Sequence, residues 1–140
     1  MYKKIIIPVS GANNCERAKK TVAHALGICD GEIIFLHVAD PVSDIIGGEA
    51  RKELERDEAA KAATLMAPLT DFMKGKSVRY RVMNVAGTLA DTIVRVAHEE
   101  DADLIAMFTD GRDSAKDMLL GTVTERVLRI SDIPMLVINS

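Results

Sequence analysis

Apolar runs alternate with amphipathic segments along the chain. Five short runs, rich in β-branched and other apolar residues, have the length and composition of buried strands. Between them, apolar positions recur every three or four residues, which is typical of helices with one buried face. The predicted element order is therefore βαβαβαβαβ, with strands at residues 4–9, 32–39, 78–83, 103–108 and 134–139.

The helical segments carry start and stop signals of their own. Thr88, with Asp91 three positions later, has the pattern of a helix N-terminus. The longest helical stretch, residues 49–73, contains Pro68, which predicts a kink or the start of a second segment. We expect inward-facing side chains at Leu54, Leu65, Leu69 and Phe72, at Ile93, Val96 and Ala97, and at Val123, Val127 and Ile130.

Strands that are separated by helices cannot form hairpins, so they pair in parallel through right-handed crossovers. Strands that are apolar on both sides agree with a sheet covered on both faces. We therefore predict an α/β fold, a five-stranded parallel open sheet in the order 3-2-1-4-5 with helices on both faces. Ligands bind such sheets beyond the carboxyl ends of the strands, where the winding reverses. The loops at residues 10–14 and 109–121 are thus the predicted site.

Composition and charge narrow the function classes. The 140 residues (15.2 kDa) match the commonest size of one domain, so we expect a single domain over residues 1–140. The formal net charge of −3 implies no overall attraction to nucleic acid or to an anionic membrane. No apolar run approaches the roughly 18 residues of a membrane helix, and no cleavage site follows the apolar start. These features predict a cytoplasmic protein.

Side chains suited to catalysis or metal binding are few. Cys15 and Cys29 form no CxxC pair. Both are predicted on or beside the first helix, roughly 20 Å apart if it is unbroken, which excludes a disulfide. His24, His37 and His98 have no identifiable hydroxyl or thiol and acid partners. We therefore expect no catalytic residues and no metal site.

A phosphate-binding candidate precedes the last helix. Gly121-Thr122 opens that helix, and the free N–H groups and partial positive charge of a helix N-terminus suit a phosphate. Gly111 and Arg112, in the preceding loop, could close over the same anion. Taken alone, this pattern favours an N-cap beside a solvated loop.

Four segments taken together match a known pattern that covers residues 3–139. They are Ile5-Ile6-Ile7-Pro8-Val9 in the first strand, Leu36-His37-Val38 in the second, Val85-Ala86-Gly87 before the third helix, and Gly111-x9-Gly121-Thr122-Val123 followed by residues 133–138. With these segments the chain resembles a universal stress protein domain. The resemblance implies a Rossmann-like fold of the adenine nucleotide alpha hydrolase type.

The resemblance also implies a choice between two groups of family members, those that bind ATP or a related adenine nucleotide and those that do not. Binding members carry the motif Gly-x-x-Gly-x9-Gly-Ser/Thr. Gly111 and Gly121 fill its second and third glycine positions, whereas Phe108 stands at the first. Ser10 stands where binding members usually have an acid. The phosphate half of the motif is therefore present and the ribose half is altered.

If ATP or AMP binds, the resemblance assigns each part of the site. A divalent ion would come only with the phosphates of the nucleotide. The implied contacts are Pro8, Val9 and Ser10 at the adenine and ribose, the backbone of Val38 and the side chain of Met107 at the adenine, and Gly111, Arg112, Gly121, Thr122 and Val123 at the phosphates.

Two other classes share the element order but fit the residues poorly. A phosphoacceptor receiver domain needs acids where this chain has Ser10 and Asn84, and a flavin carrier needs aromatic rings, which make up only 4% of the residues. Two hypotheses remain. One is a nucleotide-responsive regulatory module with at most slow ATP hydrolysis. The other is a nucleotide-free dimeric stress protein that acts through protein contacts.

The predicted last strand, residues 134–139, should lie at an edge of the sheet. It has no Lys, Glu or internal Pro to deter pairing with another chain. Two identical edges can pair antiparallel about a two-fold axis and give a closed dimer. We therefore expect a homodimer through this strand, which the resemblance also implies.

Overall fold

The computed structural model describes residues 1–9, 15–108 and 122–138, apart from the side chains of residues 15–17. The predicted site loops, residues 10–14 and 109–121, thus lie outside the described residues. The elements are β1 (Tyr2–Pro8), α1 (Cys15–Leu26), β2 (Cys29–Ala39), α2 (Gly48–Met73), β3 (Arg79–Ala86), α3 (Leu89–Glu99), β4 (Leu104–Phe108), α4 (Thr122–Ile130) and β5 (Met135–Ile138).

The described strands form one parallel sheet in the order β3-β2-β1-β4-β5, which confirms the predicted topology. β1 lies at its centre, and Ile5, Ile6 and Ile7 are fully buried. Because side chains alternate between the faces of a strand, a strand covered on both faces has to be apolar at successive positions. The uninterrupted isoleucines of β1 therefore account for its central place.

Two hydrophobic clusters cover the two faces of the sheet. On one face, side chains of α1 and α2, among them Val22 and Leu69, pack on Ile5 and Ile7. On the other face, side chains of α3 and α4, including Val127, pack on Ile6. We call these the α1/α2 face and the α3/α4 face. Successive side chains of a strand point to opposite faces, so each described strand residue can be assigned to the α1/α2 face or the α3/α4 face.

The turn between β3 and α3 depends on Gly87. Its φ is 157°, and a Cβ atom there would lie 2.3 Å from the Thr92 hydroxyl oxygen. The Gly87 N–H donates a hydrogen bond to the Ala39 carbonyl (N–O 3.0 Å), which extends the β2–β3 pairing by one step. Thr88 is the N-cap of α3, as predicted, although its side chain makes no capping hydrogen bond.

Four details differ from the sequence prediction. Leu54 and Ile130 are 39% and 37% exposed rather than buried. The buried side chains of α2 begin only at Ala62, so its first half extends beyond the core. α2 also continues through Pro68 as one helix, because buried side chains on both sides of the proline hold it against the sheet. Cys29 starts β2 instead of lying on or beside the first helix.

Candidate functional site

The candidate crevice lies between β1 and β4 at the carboxyl end of the sheet, where their backbone pairing is short. The β1–β4 ladder comprises the pairs Ile5↔Leu104 and Ile6↔Ile105, whereas β1 stays paired with β2 as far as Pro8↔Leu36. The Val9 N–H continues along β2 by donating to the Leu36 carbonyl (N–O 2.8 Å). The next residue of β1 whose backbone points toward β4 is Pro8, which has no N–H to donate, so the β1–β4 ladder ends after Ile6. This is the place where the winding of the sheet reverses and where ligands bind in folds of this kind.

Four of the predicted site residues lie on the same face at this end of the sheet. Met107, Val38 and Val123 belong to, or pack against, the cluster on the α3/α4 face. Pro8 lies on that face too, because it follows Ile7 in the alternation of β1. The structure therefore brings together side chains from β1, β2, β4 and α4 that are distant in the sequence. Met107 is buried in that cluster, and Pro8, Val38 and Val123 are half-buried at its edge.

Val9 and Phe108 occupy the opposite face. The Val9 side chain is buried in the α1/α2 cluster, and the ring of Phe108 is partly buried against that same cluster. Val9 can therefore offer only its backbone to a ligand on the α3/α4 face. Phe108, which stands at the altered glycine position, does not share a face with Val38 and Met107. Its carbonyl accepts a hydrogen bond from the Thr124 hydroxyl (O–O 3.2 Å), which ties β4 to α4.

The N-terminus of α4 lies next to the end of β4. Thr122 is the first helical residue and is exposed, while Thr124 is buried through its bond to β4. A helix start leaves several N–H groups without helical partners, and these groups attract anions. The other predicted phosphate contacts, Gly111, Arg112 and Gly121, and the altered acid position Ser10 lie outside the described residues.

A second depression, which the sequence did not predict, lies beyond the carboxyl ends of β2 and β3. It is a cavity of about 320 Å³ on the α1/α2 face, and residues of β2, β3 and α2 line it. Three carboxylates, Asp40, Glu55 and Glu58, contribute to its wall. Arg51 is held there by Glu55 (Nε–Oε1 3.2 Å) and by the Ile46 carbonyl (Nη1–O 3.1 Å). No local sequence pattern signals this cavity, because its walls come from separate elements.

Several polar side chains among the described residues have structural partners. Nδ1 of His37 lies 2.7 Å from the Asn84 side-chain oxygen, so this histidine links β2 to β3. Burial raises the pKa of the Cys29 thiol, which favours its protonated form. Within residues 1–9, 15–108 and 122–138 no group of three His, Cys, Asp or Glu side chains is arranged to hold a metal ion. In the same residues no helix is long and apolar enough to cross a membrane.

Comparison with known proteins agrees with this architecture. The model of the universal stress protein family matches residues 1–139. Universal stress protein MJ0531 of Methanocaldococcus jannaschii is 32% identical over an alignment that covers 99% of this chain and 83% of that protein. Universal stress protein MJ0577 of the same organism is 29% identical and covers 99% of this chain and 96% of that protein.

Solved structures extend the comparison to the fold. The structure of MJ0577 superposes with a TM-score of 0.78 at 29% identity and covers 100% of this chain and 97% of that one. Two further universal stress proteins share the fold at lower identity. One, from Arabidopsis thaliana, was solved with AMP bound (TM-score 0.67, 16% identity, 98% and 91% coverage), and the other in complex with cAMP (TM-score 0.65, 20% identity, 99% and 97% coverage). This chain belongs to the universal stress protein family.

Proposed function

We propose that this chain is a regulatory module that binds an adenine nucleotide, ATP or AMP, in the crevice between β1 and β4. The observation that carries the proposal is the early end of the β1–β4 ladder beside an apolar surface on one face, which includes Val38 and Met107. An adenine ring needs such a surface, and the phosphates need the helix N-terminus next to it. The AMP and cAMP complexes of family members support the ligand class.

Each part of the nucleotide has a proposed partner. The adenine would lie against Pro8, Val38 and Met107, and the ribose near the backbone of Val9 and Ser10. Binding of a divalent ion would depend on the phosphates themselves. Without a base or nucleophile beside the crevice among the described residues, we expect a switch rather than a fast enzyme. The proposed phosphate contacts are Gly111, Arg112, Gly121, Thr122 and Val123.

The test is equilibrium binding of ATP and AMP by calorimetry, after co-purified nucleotide has been removed from the protein. The variant Thr122→Glu places a carboxylate at the N-terminus of α4, where it stabilises the helix but repels phosphate. We expect it to weaken ATP binding by about tenfold or more. The control Leu128→Glu adds the same charge to an exposed position on the same helix and should leave the affinity unchanged.

Two results would overturn the proposed site. One is an absence of ATP and AMP binding to the wild-type protein at millimolar nucleotide. The other is equal affinity of ATP for the Thr122→Glu and Leu128→Glu variants, since the phosphates would then lie away from the start of α4. Thermal unfolding of both variants shows whether the fold is intact.

A second candidate function, a dimer that acts through protein contacts without nucleotide, is favoured by the geometry of β5. The Ile105 N–H donates to the Pro134 carbonyl (N–O 3.0 Å). Because alternate residues of a parallel strand bond to the same neighbour, Leu136 also points its backbone groups at β4, and Met135 and Val137 point theirs outward. β5 therefore offers an outward row of backbone groups to a second copy. We propose a cytoplasmic, single-domain homodimer joined there.

A further inference from the structure

We propose that the opposite edge of the sheet, β3, is a second self-association surface, which pairs antiparallel with β3 of another copy of this chain. The inference is independent of nucleotide binding and of the β5 contact. β3 is the outer strand on its side of the described sheet and has eight residues, whereas the described part of β5 has four. A long edge with open backbone groups is a template for a further strand.

The backbone direction along β3 follows from two hydrogen bonds. The Gly87 N–H donates to the Ala39 carbonyl, and the Leu36 carbonyl accepts from Val9. The backbone N–H and C=O groups of residues 37 and 39 in β2 therefore point toward β3. Those of residues 85 and 87, at the end of β3, point toward β2. By alternation, the residues that point outward are Tyr80, Val82, Asn84 and Ala86. β3 thus offers four outward residues, twice the number in the described part of β5.

The outward residues carry apolar as well as backbone groups. Their side chains all lie on the α1/α2 face, where Tyr80 packs beside Phe35 with ring centroids 6.3 Å apart. Tyr80 and Val82 remain 37% exposed. In an antiparallel pair centred on Val82, Val82 would oppose its own copy and Tyr80 would oppose Asn84. Aromatic and β-branched pairs of this kind stabilise neighbouring strands.

The edge does not use charge to prevent pairing. Arg81 points toward the α3/α4 face, where its guanidinium binds Glu32 (Nε–Oε1 3.2 Å) and Glu100. These partners hold the arginine over the sheet and away from the outward row. The one charged side chain in the middle of β3 is thus engaged within its own molecule.

Opposite charges at the two ends of β3 select a second copy as the partner. Lys76 and Arg79 lie at the start of the strand, together with Lys74 at the end of α2. Asp40, Glu55 and Glu58 lie beyond its carboxyl end, in the wall of the 320 Å³ cavity. Arg51 pairs with Glu55 and Lys61 pairs with Glu58, so three acidic side chains face two basic ones and this end keeps an excess of negative charge. Antiparallel pairing puts the basic end of each copy beside the acidic end of the other. The contact therefore occurs twice with matched charge, which a second copy supplies by symmetry.

The experiment is a charge exchange, measured by sedimentation at 10–200 μM (roughly the range for weak association). A Val137→Pro background removes an outward N–H of β5 and weakens association there, and charge changes placed only at the ends of β3 then report on association through β3. The first double variant is Lys76→Glu with Arg79→Glu, and the second is Asp40→Lys with Glu58→Lys. We expect the background protein to dimerise, and each double variant alone to dimerise about tenfold or more weakly.

An equimolar mixture of the two double variants should restore the dimer, because both ends of the mixed pair again carry opposite charges. The control pair Arg95→Glu and Glu99→Lys, on the exposed side of α3, should change nothing. A monomeric background protein at 200 μM and low salt would overturn the proposal, as would a mixture that remains monomeric. A dimer that none of the charge changes weakens would also exclude this surface.

Discussion

At the scale of single residues, the buried thiol of Cys29 makes the stability of the fold depend on pH. Its thiol is buried at the start of β2 and donates a hydrogen bond to the Glu32 carbonyl (Sγ–O 3.7 Å). Desolvation raises the pKa of this thiol in the folded protein above that of the unfolded chain, which is about 8.5. Ionisation therefore favours the unfolded chain. We expect the contribution of Cys29 to the free energy of unfolding to be constant below about pH 8 and to be lost as pH rises through the folded-state pKa.

The measurement is urea unfolding between pH 7 and pH 10, compared with Cys29→Ala. The variant loses a constant amount of stability through its missing sulfur, but it should lose less with rising pH than the wild type does. Identical slopes against pH for the two proteins would show that the thiol does not contribute. Taking the difference between them removes the effect of lysine and tyrosine ionisation, which both proteins share.

At the scale of elements, Arg81 joins two strands and a helix. Its guanidinium contacts Glu32 on β2 and Glu100 at the C-cap of α3, and these contacts raise its pKa. The side chains of Glu32 and Glu100 are only 18% and 24% exposed, so they would lose their counter-charge in a poorly solvated place. We expect Arg81→Met to lower the unfolding free energy by about 1 kcal/mol.

The matched control is Arg95→Met. Arg95 forms an ion pair with Glu99 on the surface of α3, where both side chains are about half exposed. Such pairs contribute roughly 0–0.5 kcal/mol. Urea midpoints at constant slope distinguish the two variants, and equal losses would mean that Arg81 does no more than an ordinary surface arginine.

At the scale of the whole molecule, the position of β5 predicts how proline acts on assembly. Val137 points its N–H away from β4, so Val137→Pro leaves the β4–β5 ladder intact and removes a donor at the outer edge. We expect the proposed β5 dimer to dissociate about tenfold more readily. Val137→Ala shortens the side chain but keeps the N–H, and it should retain most of the association. Light scattering at micromolar concentration separates these outcomes. A wild-type monomer, or a dimer unaffected by the proline, would contradict the β5 contact.

The sequence predicts the sheet because the central strands β1 and β4 are apolar at successive positions and the helices between the strands have a buried face. Periodicity does not show where the core ends, which is why Leu54 and Ile130 were placed inside but are exposed. The face that Phe108 occupies follows from the register of β4 in the sheet, which no local pattern contains. The acidic cavity and the outward row of β3 also depend on how distant elements meet. The ligand contacts in residues 10–14 and 109–121 stay predictions.

The short ladder between β1 and β4 has a mechanical consequence. Among the residues that the structure describes, the β1–β4 ladder joins β3, β2 and β1 to β4 and β5 near the amino end of this seam only. Side-chain packing on the two faces of the sheet holds the remainder. Backbone amides that flank the seam should therefore exchange with deuterium faster than those of the β2–β3 ladder. A ligand with Val38 on one side and Thr122 on the other would hold the two halves at a fixed separation. Slower deuterium exchange at the β1–β4 seam, rather than a change of fold, would then indicate that the site is occupied.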